Sequence, residues 1–265
     1  MPVNANATGE AETGVPPDVD ASEALPVNEL FHSLQGEGKL AGVPSTFVRT
    51  SGCNLRCWFC DSYHTSWEPT GAWRELDAVV DAVAERPGDH VVLTGGEPTV
   101  HGASADLLDR LSARGYHTTL ETNGTVFRDA AIDLASLSPK LATSTPTPER
   151  PPVGGDADLD GWAERHEARR LDYDVLARYV EAYPVQLKFV VTGPDDMPEI
   201  ERVIDRLRET TSEPVRDADV LLMPEGTTRE RLATTRRVVA DLAVEHGYRY
   251  TPRVHVDVWN DAPGT

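Results

Sequence analysis

Between residues 46 and 258, short apolar runs alternate with segments whose apolar residues recur at helical spacing. The runs 46–50, 91–94, 118–121, 186–191, 220–223 and 253–258 are rich in Val, Leu and Thr, and several end in Gly or Pro turns. They predict strands; 140–143 carries a weaker signal of the same kind. Leu76, Val79, Val80 and Val83 fall at i, i+3, i+4, i+7, and Ile200, Val203, Ile204 and Leu207 repeat that spacing. Both predict amphipathic helices, and longer ones are expected over 105–113, 173–183 and 229–245. Strand–helix alternation of this kind predicts a parallel α/β sheet, open or curled into a barrel. The Pro, Gly and Asp content of 144–161 reads as an inserted loop, and no internal repeat is visible.

Ahead of this pattern, residues 1–24 hold five acidic side chains and no basic ones, which predicts a disordered tail. Residues 25–265 are expected to form one domain. The N-terminus lacks a basic, then apolar, secretory signal, and no run of 18 apolar residues could span a membrane. Forty-four acidic against 25 basic residues leave a net charge of −19 over 265 residues. Such a surface repels phosphate backbones, which argues against direct nucleic-acid binding. The acidic residues are spread along the whole chain, as on a solvated surface suited to high salt.

The unusual local sequences fall after predicted strands, where parallel α/β folds collect their reactive groups. All three cysteines of the chain lie in "SGCNLRCWFCDS", as Cys53, Cys57 and Cys60. So few cysteines, so close, argue against a disulfide framework and for a metal or redox site. Gly52 and Asn54 permit the chain to curl around one centre. Four readings compete. Zinc could recruit His64 as a fourth ligand, but no second ligand pair exists. Inert buried thiols fit poorly in a loop with Asn, Arg and Asp, and a disulfide leaves one thiol over. An iron–sulfur cluster held by three cysteines, with one iron open to a ligand, fits best.

The spacing C-x3-C-x2-C, with Phe59 before the last cysteine, resembles the signature of radical S-adenosylmethionine (SAM) enzymes. Gly95-Gly96-Glu97-Pro98 resembles their GGEP motif; taken alone, it is equally a turn after a strand. The resemblance implies a [4Fe–4S] cluster on Cys53, Cys57 and Cys60, and an electron donor to reduce it. It also implies an incomplete parallel (β/α) barrel. SAM contacts are implied for Phe59, Cys60, Asp61, Gly96, Glu97, Ser138, Pro139, Lys140, Met223, Pro224 and Glu225. Glu97 is the carboxylate expected to meet the SAM ammonium.

Within that superfamily, "NELFHSLQGEG" at 28–38 and "GVPSTFVRTSGCNLRCWFCDS" at 42–62 closely resemble 7-carboxy-7-deazaguanine synthases. "LKFVV", "LLMPEG" and "RVHVDVW" extend the likeness to about residue 260. The resemblance implies ring contraction of 6-carboxy-5,6,7,8-tetrahydropterin with loss of ammonia, upstream of deazapurine modification of tRNA. Substrate contacts are implied for Leu34, Gln35, Gly36, Glu37, Arg49 and Thr94. Gln35 offers a donor and an acceptor, Glu37 accepts from ring N–H groups, and Arg49 could grip a carboxylate in a fork, or equally form a structural ion pair. Ser62 stands where the family usually has the Thr that coordinates Mg²⁺. It keeps the oxygen and loses the β-branch. A homodimer and a cytoplasmic location are further expectations. Lys188 and His255 read as polar strand residues near the pocket, and a strand histidine is equally a structural one. His64 reads as solvated, and His166 has no assignable chemistry. The chain end lacks the basic residues usual in the family. Two alternatives stay open: another small radical SAM enzyme, such as a glycyl-radical activase, and a non-enzymatic zinc-binding interaction protein.

Overall fold

A computed structural model describes residues 16, 19–153, 159, 161–260, 262 and 264. Most of the expected 1–24 tail, and residues 154–158 and 160 of the expected inserted loop, lie outside the described residues. Ala24 does not belong to a tail: it opens the first strand and is 1% exposed.

Among the described residues, nine strands form one sheet: β1 (Ala24–Leu34), β2 (Pro44–Thr50), β3 (Ala72–Glu75), β4 (His90–Gly95), β5 (His117–Thr122), β6 (Leu134–Leu137), β7 (Val185–Val191), β8 (Val220–Pro224) and β9 (Arg249–Tyr250). Their order is β3-β1-β2-β4-β5-β6-β7-β8-β9. From β2 to β9 each neighbouring pair is parallel, whereas β1 runs antiparallel to both β2 and β3. The helices are α1 (Tyr63–Ser66), α2 (Leu76–Ala84), α3 (Ala103–Ala113), α4 (Trp162–Arg169), α5 (Tyr173–Ala182), α6 (Met197–Thr210), α7 (Arg229–His246) and α8 (Val254–Trp259). This is the expected incomplete parallel (β/α) barrel, left open between β9 and β3.

The apolar stripe of α2 and that of α6 are buried in one large core with Val48, Val91, Leu93, Leu120, Leu187, Phe189, Val220 and Leu222 of the strands. Alternate strand residues point to opposite faces. Phe47, between the residues that face the helices, joins Phe31 and Val92 in a separate small cluster. Phe31 and Phe47 stack at 4.9 Å. The sheet thus has a dry outer face under helices and an inner face that is only partly apolar.

Three sequence expectations differ from the structure. Residues 253–258 form helix α8 rather than a strand. Their alternating Val254, Val256 and Val258 mimic a strand period, but Val254 N–H donates to Gly36 O and Asp257 N–H to Arg253 O. Residues 140–143 are not a strand either: β6 is Leu134–Leu137, and Ala142–Ser144 is a 3-10 turn. The 28–34 segment, expected only to precede the first strand, is itself the second half of β1. Because β1 is antiparallel, Leu34 lies opposite Pro44 at the start of β2. The loop that follows therefore enters the barrel from the end opposite the cysteine loop. It crosses the gap: Gly38 N–H donates to Thr251 Oγ1 (2.7 Å) and Lys39 N–H to Gln186 Oε1 (2.7 Å).

Candidate active site

The inner face of the sheet, the cysteine loop and the 35–37 loop enclose a cleft of about 570 Å³. Strand parity decides which side chains reach it. Where Val48, Leu93, Leu120, Leu187 and Leu222 face the helices, their neighbours Arg49, Thr94, Glu121, Lys188 and Met223 border the cleft. Arg49 and Thr94 were expected there. Glu121 ends the run "HTTLET", one of the strand ends where reactive groups were expected, but it was assigned no role from the sequence.

Cys53, Cys57 and Cys60 are free thiols on one wall of this cleft. Gly52 takes φ +97°, the left-handed turn that curls the chain after β2. The loop is held at several backbone points. Gly52 N–H donates to Thr65 O (2.8 Å), Trp67 Nε1 to Cys57 O (3.0 Å) and His101 Nε2 to Ser51 O (2.8 Å). Burial pushes all three thiols up, Cys57 to about 12. Three thiols that resist ionising alone suit a positively charged centre, which binds thiolates and supplies the missing charge. Among the described residues, no three His, Cys, Asp or Glu side chains converge closely enough to hold a single metal ion.

Glu97 does not reach the cleft. It is 0% exposed, and its Oε1 accepts from Thr99 N (3.1 Å), Thr99 Oγ1 (2.7 Å) and Thr122 Oγ1 (2.7 Å), its Oε2 from Asn123 N (2.6 Å). Asn123 Nδ2 in turn donates to Asn54 Oδ1 beside Cys53 (3.0 Å). The expected contact with an ammonium is therefore corrected: four protein donors already occupy this carboxylate, which braces the cysteine loop. Pro139 and Pro224 are likewise buried and do not border the cleft, because their strand ends turn them into the wall. Phe59, Asp61, Gly96, Ser138, Lys140, Met223 and Glu225 do border it. Lys140 Nζ donates to Ser138 Oγ (2.7 Å), and Glu225 is tied to Arg231 (2.6 Å).

At the other end, a charged chain links loops distant in sequence. Gln35 Nε2 donates to Glu121 Oε1 (3.3 Å); Lys188 Nζ donates to Glu121 Oε2 (2.9 Å) and Glu37 Oε2 (2.7 Å). Arg253 donates to Glu37 Oε1 (3.0 Å), to Gly226 O (2.6 Å) and to Asp61 beside the last cysteine. Burial alone would raise the Glu37 carboxyl, but Lys188, Arg253 and His255 hold it well below the usual carboxylate range. Burial opposes the charge of Lys188, and its two carboxylates overcome that and push its ammonium up. His255, on helix α8 rather than a strand, packs against Gly36 so closely that a Cβ there would meet its Nδ1 at 1.8 Å. Gly36 thus makes room for a side chain of this protein. Arg49 is partly engaged, donating to Glu29 Oε2 (2.9 Å) and Ser62 Oγ (2.7 Å). Ser62 Oγ lies 3.2 Å from Asp61 Oδ1. Sequence reasoning assigned no role to Arg253, Glu29 or Glu121; only the fold shows what each of them meets.

An open α/β barrel with three cleft-facing thiols on the loop after a parallel strand, beside a small polar pocket, defines an iron–sulfur enzyme acting on a small molecule. The pattern of the radical SAM superfamily matches residues 47–144. A 7-carboxy-7-deazaguanine synthase of Halobacterium salinarum is 60% identical over the full length of both chains. One of Rhodopirellula baltica is 42% identical, covering 96% of this chain and 94% of its own. In fold, the crystal structure of QueE from Escherichia coli superimposes with a TM-score of 0.60 at 23% identity, covering 88% of this chain and 95% of the other. The chain belongs to the 7-carboxy-7-deazaguanine synthases, within the radical SAM superfamily. A [4Fe–4S] cluster and SAM are the cofactors of that superfamily, and the three neighbouring thiols on the cleft wall fit the cluster.

Proposed function

We infer that this cleft contracts the ring of 6-carboxy-5,6,7,8-tetrahydropterin to give 7-carboxy-7-deazaguanine and ammonia, in deazapurine biosynthesis. The observation that carries the reading is one cleft joining a three-thiol wall to the Gln35, Glu37, Glu121 and Lys188 ring. When bound, the cluster and SAM would supply the hydrogen-abstracting radical chemistry that such a contraction needs. Substrate minus ammonia equals product, so the reaction needs no net electrons, and SAM can be regenerated.

The residues of the chain then have separable tasks. Cys53, Cys57 and Cys60 would hold the cluster. Ser138, Lys140, Gly96 and Met223 shape the SAM end of the cleft. Gln35, Glu37 and Glu121 present acceptors to the donor edge of a pterin, with Lys188 and Arg253 keeping Glu37 ionised. Arg49 reaches the substrate carboxylate, exchanging part of its contact with Ser62 and Glu29. Ser62, with Asp61 adjacent, would offer oxygen to Mg²⁺ beside that carboxylate. Cluster reduction requires an electron donor. A homodimer and a cytoplasmic setting complete the reading; among the described residues no helix is long and apolar enough to cross a membrane.

The test is turnover by anaerobically reconstituted protein in high salt with SAM, dithionite, Mg²⁺ and the carboxytetrahydropterin, read by mass spectrometry. Several 7-carboxy-7-deazaguanine molecules per SAM are expected, with slower turnover when Mg²⁺ is left out. SAM cleavage without deazaguanine would leave the cysteine reading standing and remove the substrate. Zinc uptake with refusal of iron would remove both.

A further inference from the structure

His166 plays no part in the substrate reading, yet it is fully buried against the cysteine loop. Its Nδ1 accepts the Arg56 backbone N–H (3.1 Å), and its Nε2 lies 2.8 Å from Ser144 Oγ. Ser144 spends its hydroxyl proton on Leu141 O (2.6 Å). That leaves Ser144 Oγ as the acceptor and His166 Nε2–H as the donor. The imidazole is therefore neutral, with a bare Nδ1 facing the loop.

The same helix grips the same residue a second time. Trp162 lies one turn before His166 on α4, at i and i+4, so both face one way. The Arg56 guanidinium sits 4.2 Å from the Trp162 ring centre and donates to Cys53 O (2.7 Å) and Leu55 O (2.8 Å). Trp58 N–H donates to Ser144 O (3.2 Å), fixing the loop on the far side of Cys57. Arg56 lies between Cys53 and Cys57, so the helix holds the segment that sets the separation of two thiols.

We propose that His166 is a positioning residue for the iron–sulfur cluster: it anchors the Arg56 amide on one side of Cys57 and, through Ser144, the Trp58 amide on the other. It thereby sets how firmly the cluster is held. This rests on the reading of the three cysteines as cluster ligands, and on no step of the ring contraction. Groups that orient metal ligands from behind typically change metal affinity by about 10- to 100-fold when removed.

The experiment compares wild type, His166→Asn and His166→Leu after anaerobic reconstitution. Iron release to an external chelator, the EPR signal of the reduced cluster and thermal unfolding of the metal-free chain are measured together. Asn places an amide oxygen where Nδ1 stands; Leu fills similar space without an acceptor. His166→Leu is expected to release iron about tenfold faster with a changed EPR signal. His166→Asn should stay near wild type in both, even if its metal-free form unfolds earlier. Iron release from a folded His166→Leu at the wild-type rate overturns the proposal, as does equal impairment of His166→Asn and His166→Leu. If His166→Leu does not fold, Ser144→Ala removes the relay from its outer end, and unchanged iron release there overturns it too. A wild-type chain that takes up no cluster overturns the cysteine reading instead.

Discussion

At Gly96 the backbone angle is ordinary, so space rather than conformational freedom demands glycine. A Cβ there would meet Gly52 O at 2.4 Å and Thr65 O at 2.7 Å, both backbone atoms fixed by the cysteine loop and helix α1. Neither can yield as a flexible side chain would. Gly96→Ala should therefore destabilise the metal-free protein by about 1–3 kcal/mol, as overpacking does. It should also impair iron uptake, because the displaced backbone is the one that curls around the thiols. Denaturant unfolding and iron counting on one preparation check this; an unchanged midpoint would show that the loop yields freely. The motif around Gly96 was legible as a motif, but the work of its members was not. Glu97 reads as a cofactor carboxylate from its neighbours in sequence, and its four donors arrive from Thr99, Thr122 and Asn123.

Among the elements, β7 shows how one strand serves two environments. Leu187, Phe189 and Val191 face the helices, and Lys188 between them is an almost buried cation between two carboxylates. Removing one member of a buried charge set typically destabilises by about 3–5 kcal/mol, because its partners remain buried without it. Lys188→Met should fall in that range at pH 7. In the wild type the Glu37 pKa is depressed, so its stabilisation is present above the ordinary carboxylate value and is lost as pH falls through the lower folded value. The Lys188 pKa is raised, so its share is present below the ordinary lysine value and is lost as pH rises through the folded one. Without Lys188 the burial of Glu37 is opposed by fewer cations, and its pKa moves upward. The variant should thus recover part of its deficit between pH 7 and pH 5. Urea unfolding of both proteins at the two pH values decides this; a deficit that is equal or larger at pH 5 contradicts it. Helical stripes such as Leu76–Val83 were legible because one face packs on one core. The α8 segment was not, since three alternating valines carry no information about the Gly36 carbonyl that captures Val254 N–H.

For the whole molecule, the excess of acidic residues dominates. Like charges on a compact surface repel, and that repulsion weakens as the screening length falls from about 10 Å at 0.1 M salt to about 3 Å at 1 M. The thermal midpoint should rise over that range of NaCl, and a midpoint that stays flat or drops would show that surface ion pairs outweigh net repulsion. The sequence by itself determined the alternation that makes a parallel α/β fold, the three-cysteine loop and its place after β2, and the net charge. These are local patterns or sums, and need no knowledge of what lies across the barrel. Only the tertiary structure decided that β1 runs backwards and sends Gln35 and Glu37 in from the far end. It also decided that Lys188, Glu121 and Arg253 meet there, that Glu97 braces the wall, and that His166 reaches the thiol loop from α4. Each of these is a contact between residues far apart in the chain, and such contacts follow from strand order and side-chain parity together.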